Sequence, residues 1–298
     1  MTDYLKESEA MSEKGIHIHH LPELEHPLMI IGFDGWGNAM NISKGMVVYL
    51  TQKLNGRKFA EIDPDLFYRY DAARPVVQIE LGRLKKLTMP SGTFYAVKTA
   101  PGERDLVILE ADEPNLRWKL FREELFSLCD LLRIDMIISL GSMFDNVLHT
   151  DMVISGILSD RNLISKFAEK GINLIYYQGP TAIHAVLQEN ISERGIKGIS
   201  LWCHCPYYLQ ETVHFGLLAH LGKLLSFLGE FTLQTDELED SWTHLNQKIE
   251  TMIKNKSEIQ SVVNDLKKAK ARGVWEKKQA SLRKDEKIIH LKDFKDLE

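Results

Sequence analysis

The residues best suited to chemistry fall in four short clusters. Gly32-Phe33-Asp34-Gly35-Trp36-Gly37-Asn38 directly follows an apolar run. A glycine-rich bend at that place exposes backbone N–H groups and can cradle an anion at the next helix N-terminus. The spacing is G-x-x-G-x-G rather than the dinucleotide pattern G-x-G-x-x-G, and no Gly-Lys-Ser/Thr follows it. A tight strand-to-helix turn is expected, with Asp34 and Trp36 on the rim of a pocket. Ser142, Asp145 and His149 lie close together in the chain and invite a triad. A nucleophile elbow needs G-x-S-x-G, however, and Gly141-Ser142-Met143-Phe144 lacks the second glycine. No catalytic residue is expected. Cys203-His204-Cys205 suggests a metal, but alternation along a strand sends His204 to the face opposite both thiols, and no second ligand pair follows. The histidines at 17, 19 and 20 carry the same suggestion and the same answer: neither metal nor cofactor is expected. Gly179-Pro180-Thr181, after Tyr176-Tyr177-Gln178, is a further turn into a helix.

These clusters need elements to hold them. Continuous apolar runs at 28–33, 76–79, 106–109, 136–140, 174–177 and 199–202 have the character of strands buried on both faces. Between them, Trp118, Phe121, Leu125, Leu128 and Leu132 step by three and four, which predicts an amphipathic helix with Pro114 near its first turn. Alternating buried strands and amphipathic helices predict a mostly parallel sheet covered on both faces. The close spacing of 76–79, 83–87 and 93–98 predicts a β-meander, which makes the sheet mixed. Turns after Phe33, Leu140 and Gln178 then fall at the carboxyl ends of strands, where open α/β sheets form ligand crevices.

A long apolar helix over Val213, Leu217, Leu221, Leu224 and Leu228 follows the last strand. Beyond Gly229 two narrower stripes, Leu238 to Met252 and Ile259 to Leu266, predict an antiparallel helical hairpin over 236–280. Ser257 with Gln260 fits a capping box between its arms. The stripe is too narrow to stand alone, so the hairpin must dock on the body or on another subunit. The expected organisation is a leader at 1–26, an α/β domain at 27–232, and a helical hairpin with a solvated tail at 233–298.

The formal net charge is −5 over 298 residues, which argues against a general nucleic-acid binder. Three cysteines cannot all pair, and point to a reducing compartment. The polar N-terminus has no signal-peptide pattern, and no run approaches the ~18 apolar residues of a membrane span. The cytoplasm is the expected location, with no membrane partner.

Several segments, in order, resemble the proteasome assembly chaperone 2 family: the Gly32–Gly37 bend; Ile62-Asp63-Pro64-Asp65-Leu66-Phe67-Tyr68 with Arg74-Pro75; and Asp112-Glu113-Pro114 with Arg117-Trp118. Then follow Leu140-Gly141, His149-Thr150, Tyr177-Gln178-Gly179-Pro180-Thr181, and Ser200-Leu201-Trp202 with Pro206-Tyr207-Tyr208. The resemblance spans about 27–230, and the hairpin is similar to a C-terminal extension of bacterial members. It implies a three-layer α/β/α sandwich of the phosphorylase/hydrolase-like type and homo-oligomers such as trimers. It also implies a non-catalytic chaperone or scaffold role through protein–protein contacts with a protein client. Bacterial relatives tend to carry Pro-His-Thr-Arg where this chain has Leu148-His149-Thr150-Asp151, which removes a basic contact. Archaeal members end in hydrophobic-Tyr-any, whereas this sequence ends Asp296-Leu297-Glu298, which argues against tail docking on a proteasome.

The alternative is a small-molecule-binding protein, hydrolase or nucleoside-processing enzyme working at the strand ends. Its pocket would be lined by Asp34, Trp36, Gly37, Asn38, Glu113, Trp118, His149, Tyr177, Gly179, Pro180 and Trp202, with Glu113 or His149 as general base.

Overall fold

The computed structural model describes residues 15–210 and 212–271. The rest of the leader, the end of the hairpin and the tail lie outside the described residues. One nine-stranded sheet runs in the order β1-β3-β6-β7-β2-β8-β11-β9-β10. Its strands are β1 Ile16–Ile18, β2 Leu28–Asp34, β3 Arg57–Ile62, β6 Gly92–Val97, β7 Leu106–Asp112, β8 Met136–Asp145, β9 Ile154–Leu158, β10 Asn173–Leu174 and β11 Lys197–Pro206. The centre, β7-β2-β8-β11, is parallel, with antiparallel strands on either side of it.

The central strand β2 shows why the sheet is covered twice. Leu28 and Ile30 enter one core and Met29, Ile31 and Phe33 the other, all essentially without exposure. Successive side chains point to opposite faces, so an unbroken apolar run requires a layer on each side. The first face is covered by α1 Ile42–Lys53 and α6 Phe215–Gly229. The second is covered by α3 Trp118–Leu132 and α5 Ile183–Gln188, with the short α2 Pro64–Phe67 at one end. Phe121, Leu125, Leu128 and Leu132 are buried along α3, as their spacing predicts, with Phe126 and Cys129 beside them and Trp118 half-buried. Burying each large side chain is worth about 1.5–3 kcal/mol. The helix begins at Trp118, so Pro114 lies just ahead of it rather than in its first turn. The short α4 Ile164–Glu169 contributes Phe167 to the first core.

The predicted hairpin exists as α7 Asp236–Asn255 and α8 Ser257–Ala271, broken at Lys256. It docks on its own body. Leu238, Ile249, Ile253, Ile259 and Val263 are buried in the same core as α1 and α6, with Trp242 packed against them.

Two runs differ from expectation. Residues 76–79 are not a buried strand of the main sheet. They form β4 Val76–Glu80, paired only with β5 Arg83–Thr88 in a separate ribbon exposed on both faces. Of the expected meander, only β6 joins the main sheet. At 174–177 a buried strand was expected, but β10 is a two-residue edge, and Tyr176 and Tyr177 stand in solvent. A short apolar run is compatible with a strand but does not by itself say that the strand is buried.

Candidate functional site

The bend after β2 is fixed by the loop after β7. Glu113 lies beyond the end of β7, and its carboxylate accepts from the Trp36 N–H (3.2 Å) and from the Ile183 N–H (2.9 Å) at the start of α5. Its own N–H donates to the Asp34 carbonyl at 2.6 Å. One side chain thus ties three segments. Gly35 must be glycine twice over: its φ is +149°, and a Cβ would lie 2.7 Å from the Glu113 Cβ.

Asn38 continues the bend. Its amide donates to Asp34 (3.0 Å) and Asn41 (3.1 Å), while its oxygen accepts from the Lys44 N–H (3.2 Å). The Lys44 ammonium, on α1, reaches Asp112 at 3.1 Å and Asp34 at 3.4 Å. Burial pulls the Lys44 pKa down, but the charges and hydrogen bonds of Asp112 and Asp34 outweigh it, and the net shift is upward. The bend joins β8 through the Ser142 N–H, which donates to the Gly37 carbonyl at 2.8 Å.

Trp202 on β11 completes the cluster. Its indole lies over Gly141, where a Cβ would come within 2.7 Å of the ring, and against Gly37. His184 of α5 packs on the same ring at 4.9 Å between centroids. The result is a shelf at the carboxyl ends of the parallel strands, with Trp36 64 % exposed at its edge and Trp202 half-buried at its back.

The PAC2 family model matches residues 29–253, three quarters of the chain, and takes in every strand of the main sheet except β1. The chain belongs to the PAC2 family. Among solved structures it is similar to a PAC2 family protein from Streptomyces avermitilis, at 27 % identity and a TM-score of 0.71, covering 80 % of this chain and 99 % of that one. It is similar also to a Mycobacterium tuberculosis proteasome-assembly chaperone homologue (24 %, TM-score 0.71, 79 % and 99 % covered). A Pyrococcus furiosus archaeal proteasome activator shares the fold at 16 % identity and a TM-score of 0.62, covering 80 % and 97 %. No curated protein matches the chain.

Within this PAC2 fold, the sequence-predicted lining divides. Asp34, Trp36, Gly37, Asn38, Glu113 and Trp202 come together. Tyr177, Gly179 and Pro180 form their own exposed loop, in which the Tyr177 hydroxyl donates to the Pro180 carbonyl at 2.7 Å. Trp118 packs on the second core, and its indole N–H donates to the Pro114 carbonyl.

His149 is placed elsewhere. It lies under the hairpin, its Nδ1 2.7 Å from the Tyr208 hydroxyl and its Nε2 3.2 Å from Glu250 of α7. Burial lowers its pKa, and the Glu250 carboxylate only partly offsets that. The suspected Ser142–His149 couple does not form, because the Ser142 hydroxyl donates to the Ala39 carbonyl at 2.8 Å. Glu113, with both oxygens engaged by backbone N–H groups, is a loop clip rather than a free base.

Cys203 and Cys205 point into the first core and His204 to the opposite face, as alternation requires. Burial pushes the Cys203 thiol up to about 12, which leaves it a poor nucleophile and ligand at neutral pH. Among the described residues no group of three or more His, Cys, Asp or Glu is placed to hold a metal ion. Sequence reasoning missed Lys44, His184, and a chain of contacts from Asp145 through His204 to Ser155. Lys44 was detectable in principle, ten residues after Asp34 on the helix that the bend starts. The partners in the other cases are too far apart in sequence to signal each other.

Glu113 offers a direct test of the clip. Glu113→Ala should cost about 1–3 kcal/mol, because the half-buried Ile183 N–H loses its acceptor. Glu113→Gln, which keeps one acceptor oxygen, should cost less. Urea denaturation measures the cost, and iodide quenching of tryptophan should rise in the Ala variant as the Trp36 bend loosens.

Proposed function

We propose that this PAC2 protein is an assembly factor that works through protein–protein contacts as a cytoplasmic homo-oligomer. The observation that carries this reading is the β4–β5 ribbon. Val76, Val77, Ile79, Leu81, Leu84 and Leu87 all stand exposed on it, with Leu81 fully in solvent at the turn. Exposed apolar side chains in such number on one small ribbon mark an interaction site, and Arg83, Lys85 and Lys86 on β5 add positive charge to a chain that is negative overall. Two relatives support the class of role: one is a proteasome-assembly chaperone homologue and another an archaeal proteasome activator. A protein client is the kind of partner that such a role requires. Among the described residues no helix is long and apolar enough to cross a membrane, and the net negative charge disfavours nucleic acid as the partner.

The cross-strand pair Ile79 and Leu84 is the place to test it. The double substitution Ile79→Glu, Leu84→Glu should leave the circular dichroism spectrum unchanged, since neither side chain enters either core. It should reduce the mass measured by light scattering to that of a single chain. An unchanged assembly would remove the ribbon from the contact. A wild-type chain that is monomeric at micromolar concentration and recovers no stoichiometric protein partner would overturn the reading.

A further inference from the structure

His204 is the one described histidine whose ring bridges a carboxylate and a serine hydroxyl. Its Nδ1 lies 2.7 Å from Asp145 Oδ2, and its Nε2 lies 2.8 Å from Ser155 Oγ. A carboxylate only accepts, so Nδ1 carries the proton, and Nε2 presents a lone pair to the Ser155 hydroxyl. That is the wiring of a serine nucleophile, a base and the group that orients the base. The other buried histidines are wired differently. His149 ends on Tyr208 and Glu250, and His184 and His214 each donate to a backbone carbonyl.

The placement supports chemistry as well. Asp145 and His204 stand at the carboxyl ends of the parallel strands β8 and β11, where crevices form in open α/β sheets. By register, Ser155, Ile157, Met143 and Trp202 share the face of His204, so an apolar shelf adjoins the hydroxyl. Trp202 leans over Gly141 of β8, away from Ser155 on the other side of β11. The relay is also redundant as a fastening: β8 and β11 already pair over ten residues and β11 with β9 over five. Burial pushes the Asp145 pKa up, but the hydrogen bonds from His204 and the Asn146 N–H together with the His204 interaction outweigh it, and the net shift is downward, which keeps the group ionised.

We propose that Ser155, His204 and Asp145 form an acyl-transfer centre for small carboxylic esters with an apolar group, independent of the contact role of the ribbon. Ser155 Oγ attacks the ester carbonyl while its proton passes to His204 Nε2. The carbonyl–alkoxy bond then breaks, and the leaving alcohol takes that proton. Water next gives a proton to the same nitrogen, attacks the acyl-serine, and releases the carboxylic acid and the free hydroxyl. Ser155 is only 1 % exposed, and its neighbour on the open side is Asn173 of the two-residue β10. Access by displacement of that short edge makes a small acyl group the right substrate.

The test uses the full chain with phenylmethylsulfonyl fluoride and with p-nitrophenyl acetate. Intact-mass and peptide mapping should find one sulfonyl adduct, on Ser155, and the wild type should hydrolyse the acetate above the buffer rate. Ser155→Ala should abolish both, and His204→Gln should slow both by about 10³-fold or more. The rate of labelling should rise with pH in a single step that His204→Gln removes, which a merely structural network would not produce. Asp145→Asn, at a half-exposed position, keeps the packing and serves if Ser155→Ala does not fold. It should cut labelling of Ser155 by at least about 10²-fold. A folded wild type that gives no adduct at Ser155, or labelling unchanged in Asp145→Asn, would overturn the proposal.

Discussion

Lowering the pH from 8 to 5 should cost the folded chain about 4 kcal/mol through two imidazoles alone. His184 is wholly buried, donates Nε2–H to the Leu140 carbonyl at 2.7 Å, and lies against the rings of Trp202 and Phe33. Burial holds its pKa down at about 4. His214 caps α6: its Nδ1 accepts from the Leu217 N–H at 3.1 Å, its Nε2 donates to the His149 carbonyl at 3.0 Å, and its ring stacks on Trp242. Burial holds it too at about 4. Protonation would turn that Nδ1 into a donor facing a donor. An unfolded imidazole takes its proton near pH 6.5. Between about 6.5 and 4 the unfolded chain therefore binds more protons, and stability falls as pH falls through that window. At pH 5 each residue contributes about 2 kcal/mol of the loss, and His149, also shifted down by burial, adds to it. Urea midpoints at pH 8 and pH 5 measure the drop. His184→Gln keeps a donor for Leu140 but cannot titrate, so its drop should be smaller by about 2 kcal/mol. An equal drop in both proteins would show that His184 is not a source.

The parallel centre was legible because its strands are buried on both faces. The runs of β2, β7, β8 and β11 carry few polar residues, and only a doubly covered strand tolerates that composition. Strands near the end of the sheet leave a weaker trace. Ile154–Leu158 is a short antiparallel strand with a serine and a glycine inside it, and no periodicity marks it. Ser155 was hidden with it, and the hydroxyl that meets His204 is 49 residues away. His149 shows the converse. Its position in the chain, near Ser142 and Asp145, suggested one site, yet the chain turns after β8 and carries it beneath α7, to partners at 208 and 250. Proximity in sequence placed Trp36 beside Gly37, but only the fold could bring Glu113 and the start of α5 to the same bend. The exposed ribbon misled for a related reason: an aliphatic run exposed on a two-stranded ribbon has the same composition as one buried in the chain's own core.

Gly32→Ala should destabilise the fold by about 3 kcal/mol or more, the upper range for overpacking. Gly32 lies in the middle of β2, with β7 paired on one side and β8 on the other. A Cβ there would come 2.5 Å from the Ser43 carbonyl oxygen and 2.7–2.8 Å from both methyl carbons of Val47. Neither element can yield. The strand is held by two ladders, and α1 is pinned to the sheet by the buried Ser43 hydroxyl, which donates to the Leu140 carbonyl at 2.5 Å and accepts from the Phe33 N–H at 3.1 Å. Lifting the helix to admit one methyl group would leave the Phe33 N–H without its acceptor, at about 1–3 kcal/mol, and would take from the Leu140 carbonyl one of its side-chain donors, the other being His184. Adding Val47→Ala should restore only part of the loss, because the backbone oxygen stays where it is. Gly45, on the same helix, is the internal control. A Cβ there meets only the Asn41 side chain, at an ordinary 3.5 Å, so Gly45→Ala should stabilise by about 0.5–1 kcal/mol through the lower helix propensity of glycine. Thermal and urea denaturation should therefore shift in opposite directions for Gly32→Ala and Gly45→Ala, on the two sides of one strand–helix contact. If Gly32→Ala were as stable as the wild type, the close seating of α1 on β2 would be wrong, and with it the position of the bend that carries Trp36.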